Sequence, residues 1–155
     1  MKIISTLLMS LISIQLYACN NNNGIEPLND LNITTNTDKM KLKITIGANV
    51  FTATLHDSAT AAAFKAKLPM AINMKELNGN EKYFDLSDNL PTNASTPKPI
   101  QAGDLMLYGS NTLVLFYKTF STSYNYTRLA LIDNSSGLAA ALSSGNITVK
   151  FEVSE

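Results

Sequence analysis

The chain has no tryptophan, one cysteine, one histidine and one arginine in 155 residues, and only 15% of it is charged. Each shortage closes off a class of function. The single Cys19 has no partner for an intrachain disulfide, so the folded part must stand on its core alone. His56 by itself supplies neither the clustered ligands of a metal centre nor a credible serine triad, since no serine sits in an elbow motif. The 7 glycines are scattered, so no glycine-rich loop can cradle a phosphate. Twelve basic residues cancel twelve acidic ones, and all the basic residues but Arg128 are lysines. A nucleic-acid partner would need a clustered cationic surplus and bidentate forks, and both are missing. This composition leads us to expect no metal and no cofactor.

What the chain does contain begins at the amino terminus. Lys2 precedes an apolar run over residues 3–16. A bilayer span takes about 20 such residues, so the run suits a secretory signal instead. It ends in Leu16-Tyr17-Ala18-Cys19, which resembles the lipobox of bacterial lipoproteins. The resemblance implies cleavage before Cys19, acylation of that residue, and a membrane partner reached through the lipid. Residues 19–39 are too polar to offset the entropy of ordering and read as a flexible tether. No acidic residue directly follows Cys19, which by resemblance to Gram-negative lipoproteins implies the outer membrane of the cell envelope. The organisation expected is a signal peptide at 1–18, a tether at 19–39 and one folded domain at 40–155.

Within that domain, residues 40–46 alternate, with Met40, Leu42, Ile44 and Ile46 on one face. Gly47-Ala48-Asn49 turns the chain, and residues 50–55 return as a hairpin strand. Asp57 or Ser58 caps an alanine-rich helix reaching about Leu68, with Ala61, Phe64, Ala66 and Leu68 as its buried stripe. Pro69 stops it. Further strands are expected at 70–76 and 82–86, then a loop over 87–100 that holds three prolines. Residues 104–132 carry four of the six tyrosines, Arg128 and the strongest strand signals. There Leu105, Leu107, Leu113, Leu115, Leu129 and Leu131 recur with period two, as half-buried strands require. A brief helix at 138–142 precedes a last strand with Ile147, Val149, Phe151 and Val153 inward. The sum is a mainly β fold, a closed antiparallel β-barrel with two short capping α-helices.

The order of these elements carries a family likeness. A hairpin leads to a capped helix ending in Leu68-Pro69, then to Asn78-Gly79 and Tyr83-Phe84. Ala102-Gly103-Asp104-Leu105 and Leu113-Val114-Leu115-Phe116-Tyr117 follow, with a short helix before the final strand. Taken together, residues 40–153 resemble the small bacterial cyclophilin-like proteins. The resemblance implies a barrel that carries a groove. True cyclophilins isomerise prolyl bonds with an arginine that stabilises the twisted amide, among Phe, Met, Leu, Trp and His. The matching strand here, Lys82-Tyr83-Phe84-Asp85, holds no arginine, and an ammonium does not replace a planar fork. No catalytic residue is therefore assigned.

The candidate ligand-binding residues are Tyr83, Phe116, Tyr117, Tyr124, Tyr126 and Arg128. Three of these tyrosines border one loop, residues 118–126, beside Ser121, Thr122 and Ser123. Such a mixture suits a peptide or small-ligand site, and it equally suits rings packed on a barrel rim with their hydroxyls in water. Tyr83 and Phe84 point to opposite faces of their strand, so one belongs to the core and the other to the groove. Arg128 either forks onto a ligand carboxylate or carbonyl, or clamps its own loop. The expected function is a non-catalytic peptide- or small-ligand-binding module on a lipid anchor. The alternatives are a weak prolyl isomerase acting on envelope proteins and a domain that docks onto another surface protein.

Overall fold

The computed structural model describes residues 40–142 and 145–154. The expected signal peptide, Cys19 and the expected tether lie outside the described residues.

β1 (Lys41–Ile46) and β2 (Asn49–Leu55) form the expected hairpin. Gly47 sits at φ 57, the left-handed backbone that tight hairpin turns favour. Ser58 caps α1 (Ala59–Lys65), its hydroxyl oxygen accepting the Ala61 N–H at 3.1 Å. The chain continues through β3 (Met70–Leu77), β4 (Glu81–Asp85), β5 (Asp104–Tyr108), β6 (Thr112–Phe116) and β7 (Tyr126–Ile132). α2 (Leu138–Ala141) and β8 (Ile147–Val153) complete it. The eight strands close into an antiparallel barrel in the order β1-β2-β7-β5-β6-β4-β3-β8. Alternating residues of every strand but β4 meet inside it as one buried core. The helices add Ala61, Phe64 and Leu138 to that core, Leu142 joins it just past α2, and Phe64 meets Phe151 edge to face at 5.8 Å.

Three local expectations need correction. α1 ends at Lys65 instead of reaching Leu68, and Ala66 is exposed. The N–H groups of Lys67 and Leu68 bond back only three residues, to Phe64 and Lys65, so the helix tightens and stops before Pro69. Met40 and Val153 are exposed, because each lies at a strand end where the barrel wall no longer covers it.

The third correction concerns 104–132, where β5 and β6 are buried on both faces. Leu105, Leu107, Leu113 and Leu115 fill the barrel, while Met106, Val114 and Phe116 are buried outside it with Ile100 and Tyr126. A near-continuous apolar run is the mark of two-sided burial, and the leucine alternation within it hid the second face. In β7 the period breaks. Leu105 pairs with Ala130 but Met106 pairs with Arg128, leaving Leu129 as a bulge. Leu129 and Ala130 then both reach the core, and Leu131 is only half-buried.

Candidate functional site

The outer face of β4, β6, β5 and β7 carries the site. Cross-strand pairing sets Tyr83, Val114, Met106 and Arg128 in one outward row. Asp85, Thr112, Tyr108 and Tyr126 form the next row, and Glu81 lies opposite Phe116 on the other side of the first. Two loops roof this face. Ile100 and Phe120 exchange backbone hydrogen bonds at 3.0 and 3.2 Å, and Ser95 and Tyr126 exchange two at 3.0 Å. Pro91, Pro97 and Pro99 lack the N–H that a strand needs, so the roof is pinned at single points.

Three of the four ring contacts are edge to face, as aromatic quadrupoles prefer, and the Tyr108–Tyr126 pair is tilted. Phe116 meets Phe120 at 5.7 Å and Tyr126 at 5.4 Å. Tyr108 meets Tyr126 at 5.5 Å and Tyr124 at 6.2 Å, the latter with perpendicular planes. Phe116 and Tyr126 are buried, whereas Tyr108 and Tyr124 are 46% and 62% exposed. Burial, with the Glu81 carboxylate nearby, pushes the Tyr126 hydroxyl up to about 12.

The fold therefore brings Tyr83, Phe116, Tyr126 and Arg128 onto one face and sets Tyr124 above it on the Tyr108 ring. Tyr117 parts from the group. It follows Phe116, so alternation turns it to the barrel core, where its hydroxyl donates to Glu76 Oε1 at 2.8 Å. Phe84 packs on the barrel core and Tyr83 on the outer cluster, as opposite sides of one strand demand. Lys82 is likewise turned inward. It is fully buried, and its ammonium donates to the Glu76 carboxylate and to the Gly145 carbonyl at 2.5 Å. No cation from β4 reaches the outer face.

Arg128 does reach it. Its Nη1 donates to Asp104 Oδ1 at 2.9 Å. Asp104 is fully buried, and its Oδ2 accepts the Gln101 N–H at 2.8 Å. Burial pushes the Asp104 carboxyl above the usual carboxylate range, against the pull of that N–H and of Arg128.

Sequence reasoning missed Tyr108, Met106 and Ile100, which build the floor and rim. Tyr108 was findable, being in phase with Met106 and next to the Gly109 turn. Asp104 gave no pattern, and Glu81 stands out in the sequence only as a neighbour of Asp85 and Asp88, a possible oxygen-ligand set that reads better as a solvated turn. Among the described residues no three of His, Cys, Asp and Glu gather as a metal site. A separate depression of about 990 Å3 lies beside α1, lined by Met40, Lys41, Thr54, His56 and Asp133 among others, and none of the six candidates borders it. Lys41, Thr54 and Asp133 there bond to one another.

A closed barrel with two short helices and a loop-roofed aromatic face defines a class, and the comparisons agree on it. The family model described as Cyclophilin-like family matches residues 44–152, and the chain belongs to that family. A hypothetical protein from Archaeoglobus fulgidus, solved in solution, has a similar structure with a TM-score of 0.57 and 17% identity. The match covers 75% of this chain and 95% of that one, and at this identity it speaks for the fold alone. No curated protein matches the chain.

Proposed function

We propose that this chain is a lipid-anchored envelope protein whose cyclophilin-like barrel is a non-catalytic binding module for a peptide or small molecule. The observation that carries the binding reading is the contact between Tyr108 and Tyr124, two exposed rings at right angles, with Tyr108 packed on buried Tyr126. Exposed aromatic rings on a rigid sheet offer contact area at little conformational cost, which is what recognition sites use. Arg128, two residues along β7 from Tyr126, offers directed donors beside them. The test is a titration of the full chain with peptides and metabolites, followed by the aromatic resonances of Tyr108, Tyr124 and Tyr126. Shifts confined to those rings, without faster cis/trans exchange in a proline peptide, are expected. An unresponsive aromatic face would end this reading.

The anchor rests on Leu16-Tyr17-Ala18-Cys19. Fatty-acid labelling of cells making the native chain or its Cys19→Ser variant is expected to label the native chain only. Equal labelling would remove the lipid from the proposal.

Weak prolyl isomerisation is the second reading. One observation favours it, namely that Arg128 shares an outward row with the apolar Met106 and Val114. The X-Pro barrier is roughly 20 kcal/mol, and a guanidinium already serving Asp104 has fewer donors to spend on lowering it. Acceleration of exchange that is lost in Arg128→Ala would move this reading to first place.

A further inference from the structure

Among the described residues, Glu81 is an acidic group on the aromatic face whose carboxylate makes no hydrogen bond or ion pair. It opens β4 directly opposite Phe116, and Tyr83 follows two residues later on the same side. The residue is only 8% exposed, yet no hydrogen bond or ion pair is made by its carboxylate among the described residues. Among the described residues only Asn80 Oδ1 is both sealed from solvent and unbonded, so the Glu81 oxygens open to the surface. A carboxylate so placed is costly to the fold, since burial without a partner disfavours the charge. Burial, with the Glu76 charge added, pushes its carboxyl above the usual range.

The surroundings show what would satisfy it. Of the charged groups around Glu81, Glu76 on β3 and Lys82 on β4 are already paired with each other inside the barrel. Tyr117 is bound to Glu76, and Tyr126 presents a neutral phenol. Lys75 on β3 lies across from Tyr83, and its ammonium sits over the Tyr83 ring, 5.7 Å from the centroid, without pairing to Glu81. The ring face next to Glu81 thus already accepts an ammonium. An anion lacking a counter-ion beside Phe116 and Tyr83 is complementary to a cation with an alkyl stem.

We propose that Glu81 and Tyr83, backed by the buried ring of Phe116, form a subsite for a primary ammonium group of the ligand, either a lysine side chain in a peptide or a free alkylamine. This rests on the aromatic face being the binding face and names the chemistry taken at its acidic end.

The experiment titrates the full chain with three probes: a short lysine-containing peptide, the same peptide with norleucine in place of lysine, and n-butylamine. The readouts are the ring resonances of Phe116 and Tyr83 and the carboxyl carbon of Glu81. The lysine peptide is expected to shift all three and to bind about tenfold more tightly than its norleucine twin, as one charge-assisted hydrogen bond allows. Glu81→Gln, which keeps shape, removes that margin, and Lys75→Met widens it by clearing a competing cation. Binding of n-butylamine alone marks a free amine as the source; preference for the peptide marks a protein partner. The Glu81 carbon, read in the unaltered chain, covers the case in which Glu81→Gln fails to fold. Equal binding of both peptides with an unmoved Glu81 carbon overturns the ammonium subsite and leaves the aromatic face as a binder. No binding of any probe overturns the subsite, and the binding reading with it when the wider titration above is also silent.

Discussion

Arg128 on β7 donates to Asp104 on β5 at 2.9 Å, on either side of the point where the bulge at Leu129 shifts the register between those strands. The ion pair clasps a weak place in the barrel wall and at the same time points the guanidinium along the aromatic face. One contact thus serves both the fold and the site.

Removing the guanidinium leaves Asp104 buried without its cation. Arg128→Ala is expected to cost about 2 kcal/mol, less than for a fully buried pair because the arginine is partly in water. The Asp104 carboxyl already lies above its usual range through burial, so the variant raises it further. An acid whose folded-state value is raised favours folding at low pH and opposes it as pH rises through that value. Urea unfolding should therefore show the penalty shrinking as the solution is acidified, and Asp104→Asn should restore much of it at neutral pH.

Lys82 and Glu76 predict the opposite slope. Burial pulls the Glu76 carboxyl up, but hydrogen bonds from Lys82 and Tyr117 and the lysine charge outweigh it and hold it below the ordinary glutamate range. Stability from this group is present above the unfolded-state value and lost as pH falls through the folded one. Acid titration of melting temperature should be flatter in Glu76→Gln than in the native chain. Lys82 is fully buried but Glu76 is partly in water, so Lys82→Met should cost about 2 kcal/mol, with a clear coupling to Glu76→Gln in a double-mutant cycle.

Two tyrosines should titrate late. Burial first, then the bond to Glu76, pushes the Tyr117 hydroxyl up to about 12, and burial does the same for Tyr126. The unfolded chain releases these protons near pH 10, so stability should fall between about pH 10 and 12. Ultraviolet difference spectra at alkaline pH should resolve the delayed ionisation, and Tyr117→Phe should remove one tyrosine's share.

Gly103 has no room for a side chain. Its φ is +100, and an added Cβ would stand 3.0 Å from the Cβ of Ile132. Gly103→Ala is expected to cost about 2 kcal/mol, read as a lowered melting temperature.

Tyr124 and Phe116 separate function from folding. Tyr124 is 62% exposed, so Tyr124→Ala should change stability by no more than about 0.5 kcal/mol while weakening any ligand held on the aromatic face. Phe116 is fully buried, and Phe116→Ala should cost about 4 kcal/mol. A chain that binds equally well with Tyr124→Ala would move the site away from the exposed rings.

The barrel was legible because its signals are local. Alternation in β1 and β8, the Ser58 cap and the Asn78-Gly79 turn each act over a few residues. The second, outer cluster was not, since Ile100 and Phe120 meet only after a loop has crossed the sheet. Tyr117 was misplaced among the groove residues because neighbouring rings look alike in sequence, whereas the pleat sends successive side chains to opposite faces. Glu81 and Asp104 were hidden for a further reason. A buried acid has no pattern of its own, and only three-dimensional pairing distinguishes it from an acid in water.

The closed strand order has a last implication. Among the described residues every strand has a neighbour on each side, so the barrel offers no free edge strand on which an extended chain could complete a ladder. Whatever it holds must be read sideways, ring by ring and charge by charge. Selectivity would then sit in a handful of interchangeable side chains, and a few substitutions could retune it while the cylinder beneath stayed as it is.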